Sequence, residues 1–283
     1  MPTHSGTGTM IGNTGDGYAK ITLEDSALCK RATTLHTTTC QNTSGEHNKM
    51  CTANGYAIGD TIIYGTIPSS NGYKSGDAYD CDVNGDGNYD SINERFYYVT
   101  DLDSNKNYAV LIYSDMTVDG VKWNKTVNPN IFYDNNNKSY LGPTNAYLEL
   151  PNASQWPNIR LYNHRRQIKY DYNLATYSSY TLPIFNYTNL TSRLITNNEV
   201  SVCNKDNGYL RSDCEFLLEG TSFEKNTNSF NNWGQWIETP VTGYTNRVRH
   251  IDSHSRRVGN GYTANNQYMG VKPVIEVSKN RME

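Results

Sequence analysis

The chain has 283 residues, enough for one large domain or a domain with an extension. A formal net charge of -3 and a pI of about 6.1 exclude the basic field that nucleic acid or an anionic lipid surface requires. Apolar residues make up 36%, charged residues 19%, and tyrosines number 23, which is polar without being highly charged, and too aromatic for disorder.

No apolar run reaches the roughly 18 residues of a membrane span. Met1-Pro-Thr-His-Ser5 is not a signal peptide. Six cysteines stand at Cys29, Cys40, Cys51, Cys81, Cys203 and Cys214, with no Cys-x-x-Cys pair to suggest zinc or thiol exchange. The even count predicts three disulfides and an oxidising, extracellular setting, with the export signal or anchor outside this sequence and Met1 an expression start. Fifteen pairings are open to sequence reasoning. The nearest-neighbour set is Cys29–Cys40, Cys51–Cys81 and Cys203–Cys214, and buried free thiols are the alternative.

In chain order, residues 1–75 are rich in Gly, Thr and Ser, with apolar islands at Tyr18–Leu23 and Tyr56–Tyr64. They read as a loop- and strand-rich extension, stalk-proximal or packed on the main domain, which would occupy 76–283. Asp82-Val-Asn-Gly-Asp-Gly-Asn-Tyr-Asp-Ser-Ile-Asn93 follows a calcium-loop pattern. Asp82, Asn84, Asp86, Asp90 and Asn93 supply side-chain oxygens, Asn88 the carbonyl slot and Gly87 the sharp turn. Asn93 stands where such loops carry a bidentate Glu, and Glu94 comes one residue late, so a structural calcium ion of weak affinity is expected. A metal-free Asx turn cluster is the competing reading.

Arg95–Asp101 and Tyr108–Ser114 are β-branched and aromatic runs, separated by Asp-Ser-Asn-Lys-Asn turn chemistry, and predict a hairpin. Residues 117–142 read as a long Asn-rich loop. Thr144–Leu150 reads as a short helix capped by Thr144 and stopped by Pro151, and residues 158–189 as Tyr-rich strands and loops. Capping boxes are predicted at Thr196-Asn-Asn-Glu199 and Ser212-Asp-Cys-Glu215. Pro273, inside the last apolar run, points to an edge strand or a bulge. Together these give an α+β chain: short helices against a twisted, mostly antiparallel sheet, disulfide-stapled, with much ordered loop.

Catalytic patterns are absent from the sequence: there is no Gly-x-Ser-x-Gly elbow, His-Glu-x-x-His pair or phosphate loop. His250, Asp252 and His254 would converge on a metal only on a helix, which the spacing does not favour. Arg165-Arg166 reads as a solvated basic pair. No enzyme activity is expected.

The last quarter carries the strongest pattern. Trp233–Pro240 and Gly270–Val277 are stiff packing segments around some thirty polar residues that have no strand or helix period. Trp236-Ile-Glu-Thr-Pro240, Gly270-Val-Lys-Pro-Val-Ile-Glu-Val277, Arg193-Leu-Ile-Thr-x-x-Glu199 and the Phe96–Tyr113 hairpin together resemble the C-type-lectin-fold variable proteins of diversity-generating retroelements. The likeness is to the surface-exposed, pilin-like or lectin-like ones of gut Firmicutes, whose fold is shared with formylglycine-generating enzymes. It covers roughly residues 80–283; upstream it extends only to Gly12–Lys20 and the cysteine-rich loops.

The resemblance implies a C-type lectin fold and a variable region over about 241–269, in which adenine-directed mutagenesis cannot yield Lys, Glu, Gln, Met or Trp. None of those five types occurs from Val241 to Asn266, while four of the twelve arginines fall there. It further implies an inward frame of Val248, Ile251 and Val258. Tyr244, Asn246, Arg249, His250, Asp252, Ser253 and His254 would point outward, as would Ser255, Arg257, Asn260, Tyr262, Asn265 and Asn266. Arg256 is either a fixed salt-bridge donor or a variable site.

The implied function is a ligand-binding receptor or adhesin on the bacterial cell surface, recognising a protein or a glycan. A structural pilus or surface-layer subunit is the alternative. A copper oxidase of the formylglycine-generating type is disfavoured, because Cys203 and Cys214 flank the predicted helices.

Overall fold

A computed structural model describes residues 27–40, 55–70, 72–124, 131, 145–167, 184–221, 233–241, 247–259 and 269–283. In chain order its strands are β1 (Cys29–Arg31), β2 (His36–Thr39), β3 (Thr61–Tyr64), β4 (Ala78–Cys81), β5 (Arg95–Leu102) and β6 (Asn105–Tyr113). Then follow β7 (Thr117–Val118), β8 (Val121–Lys122), β9 (Arg165–Gln167), β10 (Ile184–Asn186) and β11 (Gly234–Pro240). The last four are β12 (Val248–Asp252), β13 (Arg257–Gly259), β14 (Met269–Gly270) and β15 (Val274–Ser278). Among the described residues the α-helix is a single turn, α1 (Asn197–Val200), and the other helical turns are 3-10.

The organising element is a five-stranded sheet in the order β1-β4-β5-β6-β15, antiparallel throughout. The predicted hairpin is its centre, with Asp103-Ser104 as the turn and Leu102 paired to Asn105. Successive side chains of a strand face opposite sides, and here both sides are covered. Tyr97, Val99, Val110 and Ile112 enter one core with Ile195, Val200, Phe216, Ile237 and Ile251. Phe96, Tyr98, Leu111 and Tyr113 enter a second with Trp156, Ile275 and Val277. A strand buried on both faces reads as a continuous apolar run, which is how β5 and β6 appear in the sequence.

A second sheet, β13-β12-β11-β14, lies over the first core through Ile237, Ile251 and Val258. Its other side packs Trp236, Val248, Met269 and Val271 against Leu194, Leu150 and Tyr187. The β11–β12 pairing shifts register between Trp236 and Pro240. β15 closes the edge of the large sheet immediately after Pro273, whose carbonyl accepts the Tyr113 N–H, as the proline predicts.

Two of the quoted sequence motifs meet in one buried ionic cluster. Arg193 Nε donates to Glu276 Oε1 at 2.7 Å, and its NH1 and NH2 donate to the two oxygens of Glu199 at 2.9 and 2.6 Å. All three side chains are buried. Burial opposes the Arg193 charge, but the two carboxylates more than offset it and push its pKa up. Glu199 also completes the capping box of α1, accepting the Thr196 N–H while Thr196 Oγ1 accepts the Glu199 N–H. Glu238 of β11 accepts the Tyr187 hydroxyl at 2.8 Å. Lys272, also buried, donates to the carbonyls of Phe216 and Glu219.

Several expectations are corrected. Cys29 is bonded to Cys81, not Cys40, because the two stand directly opposite across β1 and β4, with Cα atoms 4.0 Å apart. That rules out Cys51–Cys81 as well. Cys40 follows β2 in a separate two-stranded sheet and is itself disulfide-bonded, while Cys51 lies outside the described residues. Cys203–Cys214 forms as expected. The Ser212–Glu215 capping box does not form: the turn there is 3-10, from Glu215 to Leu217, with Cys214 at its start and no side-chain cap. Ala146–Glu149 is likewise a 3-10 turn entered from Asn145, and Thr144 lies outside the described residues. The stretch expected as a loop from residue 117 opens with the β7–β8 hairpin about Asp119-Gly120, a dipeptide suited to tight turns.

Residues on both sides of position 75 share one sheet and one core. β1 is an edge strand of the large sheet, and Ile62 and Tyr64 of β3 pack with Tyr97 and Phe216.

Candidate ligand-binding surface and acidic loop

The polar segment between the two packing stretches contains an antiparallel hairpin, β12 and β13, joined by the turn Ser253–Arg256. Val248, Ile251 and Val258 are buried, as the inward frame requires. Arg249 is half-buried and donates to Asn197 Oδ1 at 3.3 Å, and desolvation lowers its pKa. Asp252 Oδ1 accepts the backbone N–H groups of His254 and Ser255, which fixes the turn and leaves the His254 side chain exposed. Arg257 lies over the Tyr209 ring, 5.5 Å from its centre.

Two members of the expected outward set point inward. His250 is 2% exposed, with its ring edge-on to Trp236 at 6.4 Å. A Cβ on Gly259, its register partner, would lie 2.3 Å from His250 Nε2, so glycine there leaves the space that the ring fills. Desolvation pushes the His250 pKa down to about 4, and the ring is neutral at pH 7. Ser253 is buried, its hydroxyl donating to the Trp233 carbonyl at 2.8 Å. The outward assignment fails at His250 because the small sheet is covered on both sides, so strand alternation does not separate core from solvent, and at Ser253 because the turn residue bonds back to Trp233. Tyr244, Asn246, Asn260, Tyr262, Asn265 and Asn266 lie outside the described residues.

Arg256 is a salt-bridge donor. It is paired to the buried Glu215, whose Oε1 also accepts the Tyr56 hydroxyl at 3.0 Å, and it turns the chain with a φ of 48°.

The face has a neighbour that sequence reasoning missed. Residues 203–211 fold back as a tight loop stapled by Cys203–Cys214 and turned at Asn207-Gly208, where φ is 63° and 78°. Lys205 N–H donates to Tyr209 O, Arg211 N–H to Cys203 O, and Leu210 N–H to Arg256 O. The loop is thereby tied to the hairpin turn. Between them lies an open cleft of about 810 Å³, walled by Asn204, Lys205, Asp206 and Tyr209 on one side and by Ser255 and Arg256 on the other. The Asn-Gly pair between two cysteines was the available signal.

In the acidic loop, Asp82 Oδ1 accepts from Gly85 N–H and Oδ2 from Gly87 N–H, at 2.9 and 3.2 Å. Asn84, Asp86 and Asp90 each accept the backbone N–H two residues on. Gly87 takes a φ of 81° and the Asn88 side chain is exposed. Asn93 is exposed and donates to Asp90 Oδ2 at 2.6 Å. Glu94 is the residue that reaches back: its carboxylate accepts the N–H groups of Val83, Asn84 and Asp90, and burial raises its pKa. Among the described residues no three His, Cys, Asp or Glu side chains are grouped to hold a metal. The side-chain oxygens of Asp82, Asn84, Asp86 and Asp90, of the hard type that calcium takes, accept N–H groups of the loop itself, as in an Asx turn cluster.

No protein family, curated protein or solved structure matches the chain. Among the described residues, no helix is long and apolar enough to cross a membrane.

Proposed function

We propose that the protein is an extracellular, surface-displayed receptor or adhesin with a C-type lectin fold, and that its C-terminal face, diversified by a retroelement over about 241–269, recognises a macromolecular ligand. One observation carries the reading. The polar segment is held on the core by Val248, Ile251 and Val258, while Arg249, Asp252, His254, Ser255 and Arg257 remain at least partly accessible. Polar and cationic side chains on a rigid support are the composition of an adaptable binding face. Sequencing the locus tests the class. A reverse transcriptase beside a template repeat that matches codons 241–269 and differs only at adenines is expected; an isolated gene with no such repeat contradicts it.

Calcium at the acidic loop belongs to the same proposal, as a rigidifying ion beside Cys81 and β5. With one carboxylate fewer than the full pattern, affinity falls in the range of extracellular modules, about 0.1–1 mM. Calorimetry with millimolar calcium is expected to give binding heat and a higher melting temperature that chelator reverses. No heat and no shift would remove the ion from the account.

A further inference from the structure

The cleft between the Cys203–Cys214 loop and the β12–β13 turn has its own chemistry. Its charges are balanced locally: Lys205 stands beside Asp206, and Arg256 is paired to Glu215 beneath it. Several of its backbone donors are already used. The N–H groups of Asn204, Lys205, Gly208 and Leu210 donate to carbonyls, and that of Ser255 to Asp252. A wall that carries one lysine beside one aspartate, with its arginine paired and these N–H groups bonded, has no net positive charge to favour phosphate or carboxylate. It also offers little to an apolar ligand, since the exposed apolar surface is one ring, Tyr209, 47% exposed, with Leu210 buried behind it. That ring is held by the Arg257 guanidinium and by the antiparallel bridge from Tyr209 to Arg257. Amide, ammonium, carboxylate and hydroxyl side chains surround it, and the volume lies within the range of small-ligand sites.

An amphipathic ring ringed by neutralised hydrogen-bonding groups matches a ligand with an apolar C–H face and an edge of hydroxyls. We propose that this cleft binds a neutral saccharide, one sugar ring stacked on Tyr209 and its hydroxyls bonded by Asn204, Lys205, Asp206 and Ser255. The inference rests on the ligand-binding reading above and gives it a ligand class and a subsite at the hairpin turn. The loop wall is fixed by its disulfide and by the Leu210–Arg256 bond, so little ordering accompanies binding.

The test uses the full chain on an array of neutral glycans, with hits titrated by saturation-transfer NMR. At least one neutral glycan is expected to bind, with Tyr209→Ala weakening it by about tenfold or more and Tyr209→Phe, which keeps the ring, by less than about threefold. Lys106→Ala, on the β5–β6 hairpin and in neither the cleft nor the proposed face, is expected to leave it unchanged. Melting curves of the variants separate lost contact from lost fold. Binding by no neutral glycan, or binding untouched by Tyr209→Ala, overturns the saccharide assignment. If the protein instead captures a protein ligand that His254→Ala or Arg249→Ala releases, the saccharide assignment falls while the ligand-binding reading stands. A locus without a template repeat bears on that reading alone.

Discussion

Two histidines show how differently one residue type is used. His36 sits between three segments: Nδ1 lies 2.5 Å from Glu219 Oε1 and Nε2 lies 2.6 Å from the Ser91 carbonyl. Both partners are acceptors, so satisfying both requires two ring protons and hence the imidazolium. Burial opposes that charge, but the Glu219 carboxylate outweighs it and the pKa is raised. The stabilisation is therefore fully present below the unfolded value of 6.5 and lost as pH rises through the folded one. An NMR titration is expected to place the His36 midpoint above 6.5; a midpoint below it contradicts the bridging role. His250 has the opposite sign. Its folded pKa of about 4 lies below the unfolded 6.5, so stability is complete above 6.5 and is lost as pH falls towards 4. The loss is about 3 kcal/mol at 1.36 kcal/mol per unit. Urea unfolding at pH 7 and pH 4.5 is expected to show this loss in the parent chain and not in His250→Gln.

Arg193 belongs to the same scale. Replacing it by Leu leaves Glu199 and Glu276 buried without their cation, a change expected to cost about 3–5 kcal/mol. A urea midpoint within error of the parent would mean that water or protonation compensates the two carboxylates.

Elements were legible in the sequence where a local rule decided them. The β5–β6 hairpin follows from β-branched and aromatic runs around Asp103-Ser104, and α1 from the Thr196–Glu199 box. Where a partner distant in sequence decides, the local rule fails. Ser212 and Glu215 have the spacing of a capping box, but Glu215 is drawn to Arg256 and Tyr56, and the turn tightens to 3-10. Cys29 lies nearer Cys40 in sequence, yet the β1–β4 register places it on Cys81. That bridge closes a separation of 52 residues. On a chain-entropy estimate its removal by paired Cys→Ser substitution costs about 4 kcal/mol, read from the urea midpoint of the double variant. A loss below about 1 kcal/mol would show that strand pairing alone holds β1.

At the scale of the molecule, the polar stretch stood out in the sequence because it lies between Trp233–Pro240 and Gly270–Val277, and of it the structure describes Val241 and residues 247–259. Which of its residues face solvent was not legible in the sequence. That depends on the second layer of packing, Trp236 on one side and Ile237 with Ile251 on the other, and that layer put His250 and Ser253 inside. The 203–211 wall escaped notice because its role arises from contact with a turn some fifty residues later. What emerges is a scaffold with its ionic and aromatic anchors buried and a polar hairpin on its surface, so binding and stability should be separable there.

The most direct measurement of that claim is made on a library of the full chain randomised at Arg249, His254, Ser255 and Arg257. Library members are scored for melting temperature and selected against unrelated macromolecules. The account predicts that most members melt within a few degrees of the parent, because these side chains contribute little to the core, and that selection yields binders of different specificity. A library in which most members unfold at room temperature, or from which no binder emerges, would contradict it.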